Sequence, residues 1–265
     1  MTLSTFAFLV ITSALLLSTP AQGSEFDGKA TYADFSSWRK SAADGAKADW
    51  NKAIAGYRDR LKAKSHDDAY IAKAIEAIEA YDEAELYDEV YTAAPAFNTK
   101  PNRLLIDAVK GRRPGKALDI AMGQGRNSVY LASQGWDVTG FDVSVAGLKA
   151  ARQAAQDRSL KITAVHSSDQ DFDFGAERWD LIAMIYAIEK RSVLRVRTAL
   201  KPGGIVVVEA GHKSVSGAPF EYESNELPRI FKGFRILRYH EVTEVSDWGH
   251  EPIRLVRFVA QKPLK

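Results

Sequence analysis

The chain of 265 residues contains no cysteine. That absence excludes a disulfide framework, a thiolate zinc site, an iron–sulfur cluster and a cysteine nucleophile. A surplus of one charge is missing too. Thirty-six Lys plus Arg stand against 34 Asp plus Glu, and the resulting +2 is too small to mark a nucleic-acid groove. Five histidines, none in an H-E-x-x-H pattern, make no ligand cluster by spacing, so no metal centre is expected. What remains is ordinary for a globular protein, with 46% hydrophobic and 26% charged residues.

The first 24 residues carry no charged side chain; the first is Glu25. Phe6 to Leu17 is an apolar run, and Pro20-Ala21-Gln22-Gly23 supplies a break and small residues like a signal-peptidase site. Twelve helical residues rise only about 18 Å, short of a roughly 30 Å hydrocarbon core. Residues 1–24 therefore read as a cleaved export signal, which would make the protein periplasmic or secreted. An uncleaved anchor, or a misassigned start and a cytoplasmic protein, are the other readings; the membrane enters only through this leader.

Residues 25–100 read as a helical extension. Trp50, Ile54, Tyr57 and Leu61 form one stripe of a 3.6-residue period, and Ile71, Ile75 and Ile78 a second, with Ser65 expected as the cap between them. Nine acidic residues lie from Asp67 to Glu89 with only Lys73 opposing them, read as a solvated helix face rather than a surface for a basic partner. Tyr81, Tyr87 and Tyr91 near the junction are assigned to packing, with a lid as the alternative.

Residues 101–265 alternate strand and helix, the mark of an α/β sheet. Strands are predicted at 116–121, 137–142, 160–165, 179–185 and 205–209, with Ser144 capping a helix after the second. The runs 235–245 and 253–261 are placed to pair antiparallel. The loop Asp119-Ile-Ala121-Met-Gly123-Gln-Gly125-Arg126-Asn127 joins the first strand to its helix. Glycines there allow tight turning and close ligand approach, and the helix start offers free N–H groups. Asp142, 19 residues after Gly123 at the tip of the second strand, is suited to ribose hydroxyls. A dinucleotide fingerprint would want a third glycine where Ser128 stands, and no phosphate-loop Lys-Ser/Thr follows. Acid, glycine loop, acid describes a pocket for S-adenosylmethionine, with Asp119 near its ammonium.

The segment 117–144, the Lys201-Pro-Gly-Gly204 turn and the Trp179-Asp180 strand resemble class I S-adenosylmethionine-dependent methyltransferases. The run Gly123-Gln-Gly125-Arg126-Asn127 with Gly135 to Asp142 is similar to the small-molecule branch that includes tellurite-resistance methyltransferases; the likeness covers roughly 85–262. The resemblance implies a Rossmann-like seven-stranded sheet of order 3-2-1-4-5-7-6, its last strand antiparallel. It implies cofactor contacts from Asp119, Ala121, Gly123, Gly125, Arg126, Asn127, Asp142 and the adjoining Val143. An acid near the adenine falls at Ser168 or Asp169, and Met184, Ile185 and Tyr186 fall beside the methyl group. Ala121 stands where the family most often has glycine, tolerable if its φ stays negative.

The implied function is in-line transfer of a methyl group to a small-molecule acceptor, with no protein nucleophile and no identified base. The alternative is an exported or anchored nucleoside-binding protein of the same fold without turnover. His212, Trp248 and His250 are noted as C-terminal loop residues, read as structural.

Overall fold

The computed structural model describes residues 26–42, 49–93, 98–187, 190–214, 221–247 and 251–264. The leader reading over 1–24, Trp248 and His250 lie outside these residues.

Among the described residues three helices come first: α1 Gly28–Ser41, α2 Trp50–Ala63 and α3 Asp68–Thr92. Each starts on an aspartate whose carboxylate accepts an orphan backbone N–H: Asp27 from Ala30, Asp49 from Lys52 and Asp67 from Tyr70. The cap of α3 is thus Asp67, not Ser65. Ser65 sits at φ +62 in the preceding turn, where its N–H closes onto the Lys62 carbonyl. Phe35, Tyr57, Leu61, Ile71, Ile75 and Ile78 interlock the three helices into a small core of their own. Tyr81 belongs to this bundle, stacked on Tyr32 with centroids 5.6 Å apart. No helix among the described residues is long and apolar enough to cross a membrane.

A short α4, Arg103–Val109, leads into the sheet: β1 Lys116–Ile120, α5 Arg126–Ser133, β2 Asp137–Asp142, α6 Val145–Gln156, β3 Thr163–His166, β4 Trp179–Ile185, α7 Lys190–Ala199 and β5 Leu200–His212. Then come β6 Glu221–Tyr222, α8 Glu226–Ile230, β7 Arg235–Val245 and β8 Pro252–Gln261. The sheet order is β3-β2-β1-β4-β5-β8-β7, with β6 a two-residue strand beside β5. β5 pairs antiparallel with β8, and β8 with β7. Leaving β6 out of the numbering gives the expected 3-2-1-4-5-7-6.

Several strand ends differ from expectation by a residue or more, β5 running on to His212 among them, and two starts differ most. β3 begins at Thr163 rather than Leu160, and β5 enters the sheet at Leu200, because Leu200 already pairs with Trp179 before the register shifts through Lys201-Pro-Gly-Gly204. Side chains alternate across the sheet, as a strand requires. Leu118, Ile120, Ile182, Met184, Val206, Val208, Phe258 and Ala260 form the core on one face. Ala117, Leu181, Ala183, Ile205, Val207, Leu255 and Val259 form it on the other. Both faces are covered, so strand ends and loops are left to make the site.

Candidate functional site

A cavity of about 540 Å³ lies over the C-terminal ends of β1, β2 and β4, roofed by α3. That volume falls in the range of small-molecule sites, and its position is where ligands bind open α/β sheets. Its floor includes Ala121, Asp142, Val143, Ser168, Asp169 and Tyr186. A second, small hollow of about 20 Å³ lies against Ala121, Gln124, Arg126 and Asn127.

The loop after β1 is closed by its own backbone. Met122 N–H donates to the Phe141 carbonyl, and Gly125 N–H to the Met122 carbonyl. Ala121, Gly123 and Gly125 sit at φ +50, +51 and +76. Ala121 therefore does not hold the negative φ that would make a methyl harmless: the position asks for glycine and carries alanine, a strained arrangement. At Gly125 a β-carbon would stand 2.7 Å from Ala151 Cβ, so this glycine lets α6 pack on the loop.

Asp142 is held at both carboxylate oxygens. Gly123 N–H donates to Oδ2 at 2.7 Å and Ser144 N–H to Oδ1 at 2.8 Å, while the residue still lines the cavity. Each oxygen keeps a lone pair for a further donor. Burial pushes its carboxyl above the ordinary value, opposed by the Ser144 and Gly123 N–H groups. Ser144 in turn caps α6 by accepting from Gly147 N–H.

Asp119 lies deeper than expected. It is 1% exposed, lines neither hollow, and accepts the Ser128 hydroxyl at 2.7 Å. Burial pushes its carboxyl up to about 6, against the lowering effects of Ser128 and Arg126. Ser128, whose identity breaks the dinucleotide fingerprint, is thus the partner that makes a buried Asp119 tolerable.

After β3 the two candidates separate. Ser168 Oγ donates to Asp171 and accepts the Asp171 N–H, closing a local turn. Asp169 lines the cavity with Oδ2 buried and without a hydrogen-bond partner. A buried acceptor left unpaired is costly and marks a place where a donor belongs. The loop is organised by Arg195 of α7, whose guanidinium donates to the carbonyls of Asp169, Gln170 and Phe172 at 2.6, 3.1 and 2.6 Å. No sequence signal marked Arg195.

Met184 is not at the site. It is 0% exposed in the core, because alternation along β4 turns it to the same face as Ile182. Ile185 lies in the opposite core and touches only the small hollow. Tyr186, one residue past the strand and at φ +53, does line the cavity. Its hydroxyl donates to Glu209 Oε1 at 2.8 Å, and burial and Glu209 hold that phenol well above its usual range. It is a neutral wall, not a base.

Arg126 and Asn127 line the small hollow but spend their side chains on the protein. Arg126 bonds the Lys100 carbonyl and Asp247, and Asn127 accepts the Asn102 N–H. Asn102 continues to Glu209, which also takes Arg257 Nε, so one buried polar network fixes the ends of β4, β5 and β8 together. His212 bonds Ser214 and Ser224 with its two ring nitrogens and lines neither hollow.

The acidic run changes meaning. Glu76, Glu79 and Glu83 of α3 face the cavity together with Ala72, Ala80, Tyr87 and Tyr91, so this part of the helix is a cavity wall and not merely a solvated face. The signal was present as a stripe at 72, 76, 79, 83, 87 and 91, distinct from the apolar stripe at 71, 75 and 78.

An open, mostly parallel sheet whose first loop, second-strand acid and third-loop acid border one hollow defines the class I methyltransferase fold. Residues 81–252 match the family profile described as tellurite resistance protein TehB, which places the chain in the TehB family. A probable S-adenosyl-L-methionine-dependent methyltransferase TehB from Haemophilus influenzae (strain 10810) is 28% identical over 154 residues, covering 52% of each chain. This chain spans about half the length of the curated relatives it matches. The crystal structure of TehB from Haemophilus influenzae aligns with TM-score 0.54 at 20% identity, covering 68% of this chain and 67% of that one. The crystal structure of the [4+2]-cyclase SpnF aligns with TM-score 0.57 at 16% identity, covering 70% of this chain and 97% of that one. These likenesses establish the fold; chemistry must be argued from the site.

Proposed function

We propose that the chain is an S-adenosylmethionine-dependent methyltransferase acting on a small-molecule acceptor. The observation that carries this is the pairing of Asp142 and Asp169 on one cavity floor, the second with a buried oxygen lacking a donor. Asp142 would take the ribose hydroxyls and Asp169 the adenine amino group, with Val143 between them as an apolar contact. Ala121 and the loop behind it would face the amino-acid end, beside the small hollow. When bound, the cofactor supplies a methyl group already activated on a sulfonium. The protein's own contribution is then orientation, worth up to ~7–11 kcal/mol for well-aligned reactants. Tyr186 shapes the wall at the end of β4, and Glu209 holds it there. The relatives' names support the same reading, since they pair this family with S-adenosylmethionine.

The leader over 1–24 belongs to this proposal as an export signal or anchor, tested by fractionating cells that express the chain with and without it. The activity is tested by incubating the full chain with S-adenosylmethionine labelled in the methyl group and a panel of thiol, amine, hydroxyl and metalloid acceptors. Label is expected in one small product. Binding without transfer to any acceptor would replace the enzyme by a binding protein.

A further inference from the structure

The roof of the cavity carries a residue that the cofactor reading does not use. Tyr91, one turn beyond Tyr87 on α3, lines both the large cavity and the small hollow. It stands directly on the glycine loop. A β-carbon built at Gly123 would lie 2.1 Å from Tyr91 Oη, and one at Gly147 would lie 2.9 Å from its Cδ2. Two glycines, one in the loop and one in α6, thus make the seat for a phenol of the protein itself. Burial raises the Tyr91 hydroxyl above its ordinary value, and Asp142 and Asp119 both add to that rise, so the phenol stands in the field of the two acids.

The same turn of α3 is fastened to the sheet domain. Asp88 accepts the Ser144 hydroxyl at 2.5 Å and the Ala146 N–H at 2.9 Å, an anion on the N-terminal end of α6. Tyr87 stacks against Tyr91 with centroids 6.4 Å apart. An adenosyl group on Asp142 and Asp169 and an amino-acid end near Ala121 and Asn127 must be joined across Gly123, where Tyr91 now sits.

We infer that the Asp88–Tyr91 turn of α3 is a gate on the cofactor cleft: Tyr91 seated on Gly123 divides the cleft, and Asp88 on α6 latches it shut. This rests on the cofactor reading above. The ligand binds only the lifted state, so its apparent affinity is reduced by the fraction of molecules that are open. A gate and a ligand-contacting wall then predict opposite signs. Truncating a gate tightens binding; truncating a wall weakens it.

The test uses the full chain and S-adenosylhomocysteine as probe, with affinity from calorimetry and association rates from surface plasmon resonance. Tyr91→Ala is expected to bind about tenfold tighter than the unaltered chain and to associate about tenfold faster. Asp88→Ala, which frees the latch but keeps the ring, is expected to move both in the same direction, about threefold. Thermal melting checks that each variant is folded, and Asp88→Ala carries the test if Tyr91→Ala does not fold. An unaltered chain that fails to bind while Tyr91→Ala binds would support a gate that is nearly always closed. Binding by the unaltered chain with equal or weaker binding by the folded variants overturns the gate and leaves the cofactor reading standing. Failure of every protein to bind overturns both.

Discussion

Replacing Ala121 by glycine should stabilise the protein, although it removes a side-chain atom. Ala121 sits at φ +50. The left-handed region costs an L-residue with a β-carbon roughly 1–2 kcal/mol, a cost glycine does not bear. Glycine loses about 0.5–1 kcal/mol more conformational entropy on folding, which offsets part of that gain. The methyl itself is exposed, so no buried contact is lost with it. The balance is a gain of about 0.5–1 kcal/mol, or roughly 1–4 °C in melting temperature for a domain of this size. Urea unfolding of the two proteins followed by tryptophan fluorescence should show a higher midpoint for Ala121→Gly at an unchanged slope. A lower midpoint at equal slope would refute the strain argument.

Three further outcomes are expected. Asp119 titrates near 6 in the folded chain against an ordinary 3.8, so the folded state holds its proton more tightly than the unfolded state. Its contribution is therefore favourable below about pH 4 and is lost as pH rises to about 6, amounting to about 3 kcal/mol. Asp119→Asn should flatten the stability profile across that interval in urea titrations, and an unchanged profile would contradict it. Arg195→Ala should leave the fold melting cooperatively yet weaken S-adenosylmethionine binding by about tenfold, about 1.4 kcal/mol, because the Asp169 loop loses its three carbonyl ties. Gly123→Ala should destabilise by about 2 kcal/mol or more through its φ of +51 and its collision with Tyr91. Adding Tyr91→Ala should restore part of that loss, so a double-mutant cycle with no coupling would show that the two residues do not touch.

The sequence made local features legible. Asp142, Ser144 and the loop 119–125 belong to one strand–loop–helix–strand unit that is contiguous in the chain, so they could be placed without knowing the rest. The antiparallel pair 235–245 and 253–261 was legible for the same reason, as two β-rich runs with a short connection. Met184 shows the limit. Strand alternation reveals that it shares a face with Ile182, but not that this face is the core beneath the site. The roof was the least legible part. That Glu76, Glu79, Glu83, Tyr87 and Tyr91 face a cavity depends on where α3 docks, which Asp88 decides through residues 56 and 58 positions away. Arg195 likewise acts through backbone carbonyls more than 20 residues distant, and nothing in a neighbouring motif announces such a contact.

The most direct test of the central claim is a crystal structure of the full chain soaked or grown with S-adenosylhomocysteine. The ribose is expected on the Asp142 carboxylate, the adenine amino group on Asp169 Oδ2, and Tyr91 lifted from Gly123. A nucleoside bound elsewhere, or a cavity still empty at saturating concentration with Asp169 Oδ2 unpaired, would contradict it.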